Sequence, residues 1–526
     1  MSTQNEKYVL AVDIGTSCTK SALVSTRGEI VDMESEENRL ILLEDGGAEQ
    51  DPDQWWRAVE KTFKRLLVKK LVPVDDIIAV SCTGQWSGTV AVGKDGRPVM
   101  NAIIWMDSRG RRYVNEITDG WVRIRGYGIS KLFRWLRLTG GAPCHSGKDP
   151  ISHILYIKNV CPEVYRKTYK FLEPTDYINL RFTGRFAASF DSIALHWLTD
   201  NRKISNVAYD RRLIDISTID QAKLPALKRA VDVLGPIRKE TAKELGLNED
   251  VRVIVGTPDV QSAAIGCGAV RDFEPHLYLG TSSWLTCHVP FKKTDLRSNI
   301  ATLPSAIPTR YFVANEQETA GACLNFLKNN VCCPSERSPD AQQTNEWALL
   351  DDIAEKVPAG SNKVIFTPWL YGERTPIEDA SVRACFFNQS LRTTREDLVR
   401  SVYEGVAYNS RWLLQYVERF VKRRLDNIRM IGGGAKSDVW CQMYADVLDR
   451  TIKQVKGPVQ ANLRGAAFLA SIALGHMTFD DVPERVEIAE TFRPSAENRR
   501  IYDELFARFK EVYASNKAIY ERLNRP

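Results

Sequence analysis

The chain has 526 residues, 72 Lys and Arg against 66 Asp and Glu, a formal net charge of +6 and 44% hydrophobic residues. That length exceeds the ~250–300 residues at which one core stops growing, so two or more domains are expected. The basic residues are spread along the chain rather than gathered into an arm or block, so neither a nucleic acid nor a membrane surface is expected as a partner. From Tyr8, "YVLAV", "DIGTSCTK" and "SALVST" read as strand, glycine turn and strand, with "IVDMES" as a third strand after the turn "RGE". "QDPDQWWRAVEKTFKRLL" offers Asp51 as N-cap, Pro52 at the first helical position, and Trp55, Val59, Phe63 and Leu66 on one face, which predicts a helix. "IIAVSCTG", "TVAVGKDG" and "AIIWMDSR" read as strands ending in polar or aromatic residues, and strand ends are where sites collect in α/β folds. "TGGAPCHSGKDP", 139–150, is rich in turn formers and reads as a surface loop.

Residues 145–200 read as mostly helical, and "VRVIVGTPD", 251–259, as a buried strand leading into "VQSAAIGCGAV". "HLYLGTSSWLTCHV" then repeats the opening design, with Gly280 265 residues after Gly15, which predicts two similar halves. "GAVRDFEPH", 268–276, breaks the pattern before this second hairpin and places the boundary between units 1–270 and 271–526. "IRMIGGGAKSDVWCQMYADVL" reads as strand, glycine loop and helix, and "ANLRGAAFLASIALG" as a small-residue helix suited to very close packing. The tail from Glu497 carries Ile501, Leu505, Phe509 and Val512 at helical spacing, a docking helix without chemistry of its own. Eleven cysteines without CxxC pairs beside histidines fit neither a disulfide framework nor a zinc module, and the adjacent Cys332 and Cys333 cannot bridge easily. Reduced thiols in the cytoplasm are expected, since no apolar run approaches the ~18 residues of a membrane span and no signal segment opens the chain.

The stretch "DIGTSCTK" holds the parts needed for a nucleotide phosphate tail. Gly15 lets backbone approach a ligand, the hydroxyls of Thr16, Ser17 and Thr19 can donate to phosphate oxygens, Lys20 supplies charge, and Asp13 can hold magnesium through water. Taken alone, the same stretch is equally a hairpin with a polar turn. Neither GxxxxGK[ST] nor a strand-to-helix GxGxxG is present, which disfavours P-loop and Rossmann sites. "LGTSS", 279–283, supplies a second hairpin for the other side of a triphosphate, and "IGGGAKSD", 431–438, a glycine loop against which adenine can lie. Together they point to an ATP cleft between two domains.

The chain resembles the FGGY carbohydrate kinases, built on the α/β fold of two actin-like, ribonuclease H-like ATPase domains with a cleft between them. "DIGTS", "WMDSR" (105–109), "TPDVQSAAIG" (257–266), "LGTSS", "YGERTP" (371–376), "EGVAY" (404–408) and "GGGAKSDVWCQMYADVL" (432–448) occur in the family's order. The resemblance implies ATP and Mg2+ as cofactors and Asp259 as the base that receives the proton of the attacking sugar hydroxyl, as phosphoryl transfer requires. An N-cap to the following helix is the plainer role for that aspartate. By the same resemblance Asp13 is the metal-site aspartate, Thr16, Ser17, Cys18 and Lys20 form the first phosphate loop, and Thr281 and Ser282 the second. Gly434 and Asp438 match the adenine end, as do Gly321 and Asn325 of "ETAGACLNFL".

On the sugar side the implied residues are Gln85, Trp86, Ser87, Trp105, Asp107 and Asp259. Here the chain departs from its relatives, with Trp86-Ser87 where xylulokinase-like proteins show Met-His and glycerol kinases Arg-Glu. Pro258 also stands where many relatives have glycine. An aromatic face suits the apolar face of a sugar, and core packing is the alternative for either tryptophan. The implied activity is ATP-dependent phosphorylation of a primary hydroxyl of a small sugar or polyol, leaning to a ketopentose such as D-xylulose. Ribulose, an erythritol-like polyol or glycerol are alternative acceptors, and an actin-like ATPase switch without a sugar is the rival from another class. A homodimer is the expectation from the prevalence of two-fold oligomers.

Overall fold

The computed structural model describes residues 6–331 and 346–524, so Cys332 and Cys333 lie outside the described residues. Strand Tyr8–Ile14 shows how the sequence sets the first layer. Its residues are apolar on both faces, as a central strand requires. Leu10, Val12 and Ile14 pack with Trp55, Val59 and Phe63 of helix Pro52–Val68, whereas Val9 and Ala11 meet Leu463, Ala466, Ala467 and Ala470. Large residues on one face take a large-residue helix, and small residues on the other admit the small-residue helix Ala461–Ala473. The expected caps of the first helix are present: Pro52 opens it and the Asp51 carboxylate accepts from Asp53 N.

Two sheets repeat one plan. In the first, Cys18–Ser25 pairs antiparallel with Tyr8–Ile14, which runs parallel to Ile77–Gly84, parallel in turn to Arg252–Ile254; Val233–Pro236 closes the edge antiparallel. In the second, Ser283–Thr286 pairs antiparallel with His276–Leu279, followed by parallel Ile428–Ile431 and Ile452–Val455 and antiparallel Ile488–Phe492. The short Gly-Thr-Ser echo is therefore the visible trace of a repeated hairpin-parallel-parallel topology. Only the first sheet carries a further strand on its hairpin side, Ile30–Glu37.

The halves are joined by an unusually close helix crossing. A Cβ on Gly266 would lie 1.8 Å from Ala461 O, and one on Gly465 1.9 Å from Ser262 O, so both positions exclude any side chain. Helix Asp259–Gly266 is thereby seated against the start of Ala461–Ala473. The second half has its own core around helix Arg395–Val421, where buried Glu404 of "EGVAY" accepts from Arg400 Nε at 2.7 Å, Gly360 N at 2.9 Å, Ser361 Oγ at 2.7 Å and Tyr502 Oη at 2.9 Å. The tail forms helix Ala496–Leu523, whose Leu505, Phe506 and Phe509 enter that core.

Segment 139–150 departs from expectation: none of its residues is exposed. Its turn formers serve close packing instead of solvent. Gly141 abuts the Trp197 ring, Gly147 the backbone of Arg111, and Gly140, at φ +99°, the carbonyl of Thr302. Buried Asp149 ties the loop by accepting from Cys144 N at 2.6 Å and Trp197 Nε1 at 2.7 Å. The expected strand in "AIIWMDSR" shrinks to Ala102–Ile103, because the chain turns at Trp105 and Met106.

Candidate active site

Asp259 is the first residue of its helix, after Pro258 at the N-cap, which makes no side-chain cap bond. Its carboxylate accepts from the neighbouring Val260 N at 2.8 Å and is also lowered by its own backbone N–H. Burial, then the charge of Asp13, then that of Glu316, push it up to about 8. Asp13 ends the first strand 5% exposed, opposite Lys20 in register. Its carboxylate is raised by burial and eased by Lys20 and by a 3.2 Å hydrogen bond from Asn462 Nδ2. Asn462 opens the small-residue helix, and its carbonyl accepts from Ser262 Oγ at 2.8 Å, so one residue joins the two aspartates' elements. Tyr278, raised by burial and by the charges of Asp259 and Asp13, approaches the same point from the second half, stacked on Trp284 at 4.0 Å between ring centres. The charge of Asp13 raises Asp259, and Lys20 is the lysine beside Asp13. Among the described residues no cluster of three His, Cys, Asp or Glu groups forms a closed metal cage. An open, one-carboxylate arrangement is the kind magnesium uses when substrate phosphates and water complete its shell.

The sugar-side residues form one network. Trp105 Nε1 donates to Thr16 Oγ1 at 3.0 Å, Thr16 Oγ1 donates to Gln85 Oε1 at 3.3 Å, and Gln85 Nε2 donates to buried Gln50 Oε1 at 2.8 Å. Gln50 Nε2 in turn holds Thr16 O at 2.8 Å. The Thr16 hydroxyl thus ties the first hairpin to Trp105 and Gln85. Thr19 is likewise engaged, donating to Asn38 Oδ1 at 3.0 Å, and Asn38 Nδ2 holds Gly15 O at 2.7 Å. Ser17 is the exposed hydroxyl of the turn, beside half-buried Cys18 and Lys20.

Trp86 is half-buried, and its Nε1 donates to Ser192 O at 2.9 Å. Ser87 sits at φ +67° and donates to Lys148 O at 2.8 Å, which makes the 139–150 loop part of the wall. The Asp107 carboxylate accepts from Ala48 N, Arg109 N and Arg109 Nε, each at 2.9 Å, and pairs with Arg109 Nη2 at 2.7 Å, and so shapes the turn under Trp105.

The second hairpin turn, exposed Thr281 and half-buried Ser282, is backed by Gly321: a Cβ there would lie 2.6 Å from Gly280 O. Asn325 is exposed on the short helix Gly321–Phe326. "YGERTP" supports this region. Arg374 donates to Glu318 Oε1 from Nε at 3.0 Å and pairs with Glu316, while buried Glu373 accepts from Glu318 N at 3.1 Å and Arg374 N at 2.8 Å. Lys148 Nζ from the first half lies 5.5 Å from the ring centre of Tyr371. In the glycine loop, Gly432 (φ +93°) and Gly434 are packed on Leu279, whereas a Cβ on Gly433 would meet nothing within 4 Å. Half-buried Gly434 and exposed Asp438 follow it, and the Asp438 carboxylate accepts from Gln454 Nε2 at 2.7 Å.

Asn462, Tyr278, Gln50, Asn38, Lys148 and Arg374 were not singled out from sequence as site residues. Only Arg374 had a signal, its place in "YGERTP"; the rest join the site by chain crossings that no local pattern reveals.

A family model for the N-terminal domain of the FGGY family of carbohydrate kinases matches residues 8–266, and one for its C-terminal domain residues 277–474. A xylulose kinase from Staphylococcus epidermidis is 28% identical over 517 residues, covering 98% of each chain. The gluconate kinase structure from Lactobacillus acidophilus superposes with a TM-score of 0.85 at 27% identity, covering 99% of this chain and 100% of that one. The ligand-bound xylulose kinase structure from the same organism gives 0.86 at 26%, covering 98% and 100%.

Proposed function

The chain belongs to the FGGY family of carbohydrate kinases, and from that premise we propose that it transfers the γ-phosphoryl group of ATP to a primary hydroxyl of a ketopentose, D-xylulose first among candidates. The observation that carries this reading is Asp259: a carboxylate at the start of a helix, pushed up to about 8 by burial and by Asp13, with local backbone N–H groups as its hydrogen-bond donors. Such a group is basic enough to take a hydroxyl proton as the oxygen attacks phosphorus. Ser17, Cys18, Lys20, Thr281 and Ser282 would hold the phosphates from the two hairpins, and Gly321, Asn325, Gly433, Gly434 and Asp438 would surround the adenosine. Asp13 would hold Mg2+ through water, and the ion when bound supplies positive charge to the phosphate oxygens. Gln85, Trp86, Ser87 and Trp105 would face the sugar, with Thr16 aligning Gln85.

Units 1–270 and 271–526 would close over the substrates, expelling water that competes as phosphoryl acceptor. Lys148 and Tyr371 meet from opposite sides of that division. We place the enzyme in the cytoplasm, with its ATP, as a two-fold homodimer. Its nine described cysteines are all free, and no described helix is long and apolar enough to cross a membrane.

The test is ADP release from ATP and Mg2+ with D-xylulose, D-ribulose, an erythritol-type polyol, glycerol and gluconate. Turnover highest with a ketopentose supports the reading. Highest turnover with gluconate or a polyol replaces the acceptor, and an ATPase indifferent to every sugar replaces the kinase with a switch.

A further inference from the structure

The peptide that delivers Asp259 is held from several sides before the helix begins. Gly256, at φ +75°, lets the chain pass so close to the first sheet that a Cβ would lie 2.1 Å from Cys82 O. Asn179 Nδ2 donates to Val255 O at 2.7 Å, and Thr83 Oγ1 donates to Thr257 O at 2.7 Å. The Thr257 hydroxyl donates to the carboxylate of Asp191, a residue 66 positions away and 0% exposed. The other donors to the Asp191 carboxylate, the Ser189 hydroxyl and the N–H groups of Asp191 and Ser192, lie on its own segment, so the Thr257 hydroxyl is the contact through which Asp191 acts on the 255–259 segment.

The residue after Asp191 faces the other substrate-side element. Ser192 O is the acceptor of the Trp86 indole, and Ser192 itself is fixed by its own hydroxyl, which donates to buried Asp176 at 2.9 Å, and by its N–H on Ser189 Oγ at 3.1 Å. Two consecutive residues thus grip the sugar wall and the approach to the base. Pro258 fixes φ between Thr257 and Asp259, so a displacement of Thr257 is passed on rather than absorbed.

We propose that Asp191 is a positioning residue for phosphoryl transfer: through the Thr257 hydroxyl it fixes the peptide carrying Asp259, at a separation from Trp86 set by the Asp191-Ser192 pair. The inference rests on Asp259 being the base and Trp86 the sugar wall. Asp191 is pushed up to about 6 by burial, against the pull of Thr257, and is therefore ionised and a strong acceptor at neutral pH. Misplacing a reacting group by ~1 Å costs on the order of a hundredfold in rate, so losing one such anchor should be visible in kcat.

The experiment compares Thr257→Val, Thr257→Ser, Asp191→Ala, the Thr257→Val/Asp191→Ala double variant and Asp259→Asn. Each is measured for kcat and sugar KM with the best acceptor of the panel above, for ADP affinity and for melting temperature. We expect Thr257→Val to lose about tenfold to a hundredfold in kcat with sugar KM changed less than threefold, and Thr257→Ser to recover most of it. The double variant should lose no more than the worse single one, since both residues serve one contact. Thr257→Val retaining kcat within twofold overturns the proposal, as does Thr257→Ser falling as far as valine, or losses that multiply. Asp259→Asn separates the two ideas: if it turns over normally the base assignment fails, whereas an inactive Asp259→Asn beside a normal Thr257→Val sinks the positioning role alone.

Discussion

Asp259→Asn should stabilise the substrate-free protein while removing its activity, and the stabilisation should depend on pH in a specific way. In the fold the carboxylate titrates at about 8, against ~3.9 for an unfolded aspartate. A group whose folded pKa is raised supports the fold fully below its unfolded value and loses that support as pH rises through the folded value. The window is therefore about pH 4 to 8. Within it wild type loses ~1.4 kcal/mol per pH unit relative to the amide, which carries no charge at any pH, and the difference levels off above pH 8. At pH 7.5 the bookkeeping gives ~5 kcal/mol as an upper value, and the partial exposure of the site reduces it to about 2–5 kcal/mol. With an unfolding entropy of about 2 cal/mol/K per residue, a cooperative transition of the whole chain would move by roughly 2–5 °C. The assay is differential scanning fluorimetry of both proteins without nucleotide from pH 5.5 to 8.5, beside sugar phosphorylation at pH 7.5. A melting difference that is flat with pH, or a variant less stable than wild type at pH 8, would refute the electrostatic account of Asp259.

Gly465→Ala puts a methyl 1.9 Å from Ser262 O and should cost about 1–3 kcal/mol in urea unfolding, with kcat falling more than ATP KM because the helix carrying Asp259 shifts. Gly433→Val meets open space and should leave the melting temperature within about a degree while raising ATP KM about tenfold or more; unchanged ATP KM would remove the adenine from that face. Trp86→Phe strands the buried Ser192 carbonyl and should raise sugar KM by about tenfold with ATP KM unchanged. Arg374→Ala frees Glu316, whose charge already raises Asp259, so the acid limb of kcat/KM should move to higher pH; a limb that stays fixed would detach "YGERTP" from the base.

The two hairpins, the first helix with its Asp51 cap, the glycine loop and the tail helix were all legible, because each is set by local periodicity and turn chemistry. Asp13 was legible as a carboxylate near a strand end, and Asp259, which opens a helix, through the resemblance of "TPDVQSAAIG". What local sequence could not supply was which partner each polar group finds. Thr16 and Asp107 have the right chemistry for phosphate and sugar, and the groups they bond in the fold are Trp105 and Gln85 for one, Arg109 and Ala48 for the other. The 139–150 loop failed for a related reason. Glycine and proline mark both an exposed turn and a backbone pressed against rings and carbonyls, and only the second fits a segment in which Gly140, Gly141 and Gly147 each touch another chain segment.

That same loop explains why the Trp86-Ser87 departure can coexist with an intact phosphate side. The wall is braced from behind rather than built from the two residues alone: Trp86 by Ser192, Ser87 by Lys148, and the next residue, Gly88, by its N–H on the Glu173 carboxylate at 2.9 Å. Burial and neighbouring Asp176 push the Glu173 carboxylate well above its ordinary range. The first hairpin is held by Asn38, the second is backed by Gly321, and Thr16 links the first to Gln85 and Trp105. Positions 86 and 87 can therefore vary against a fixed brace, with position 86 linked to the peptide carrying Asp259 through the Asp191-Ser192 pair.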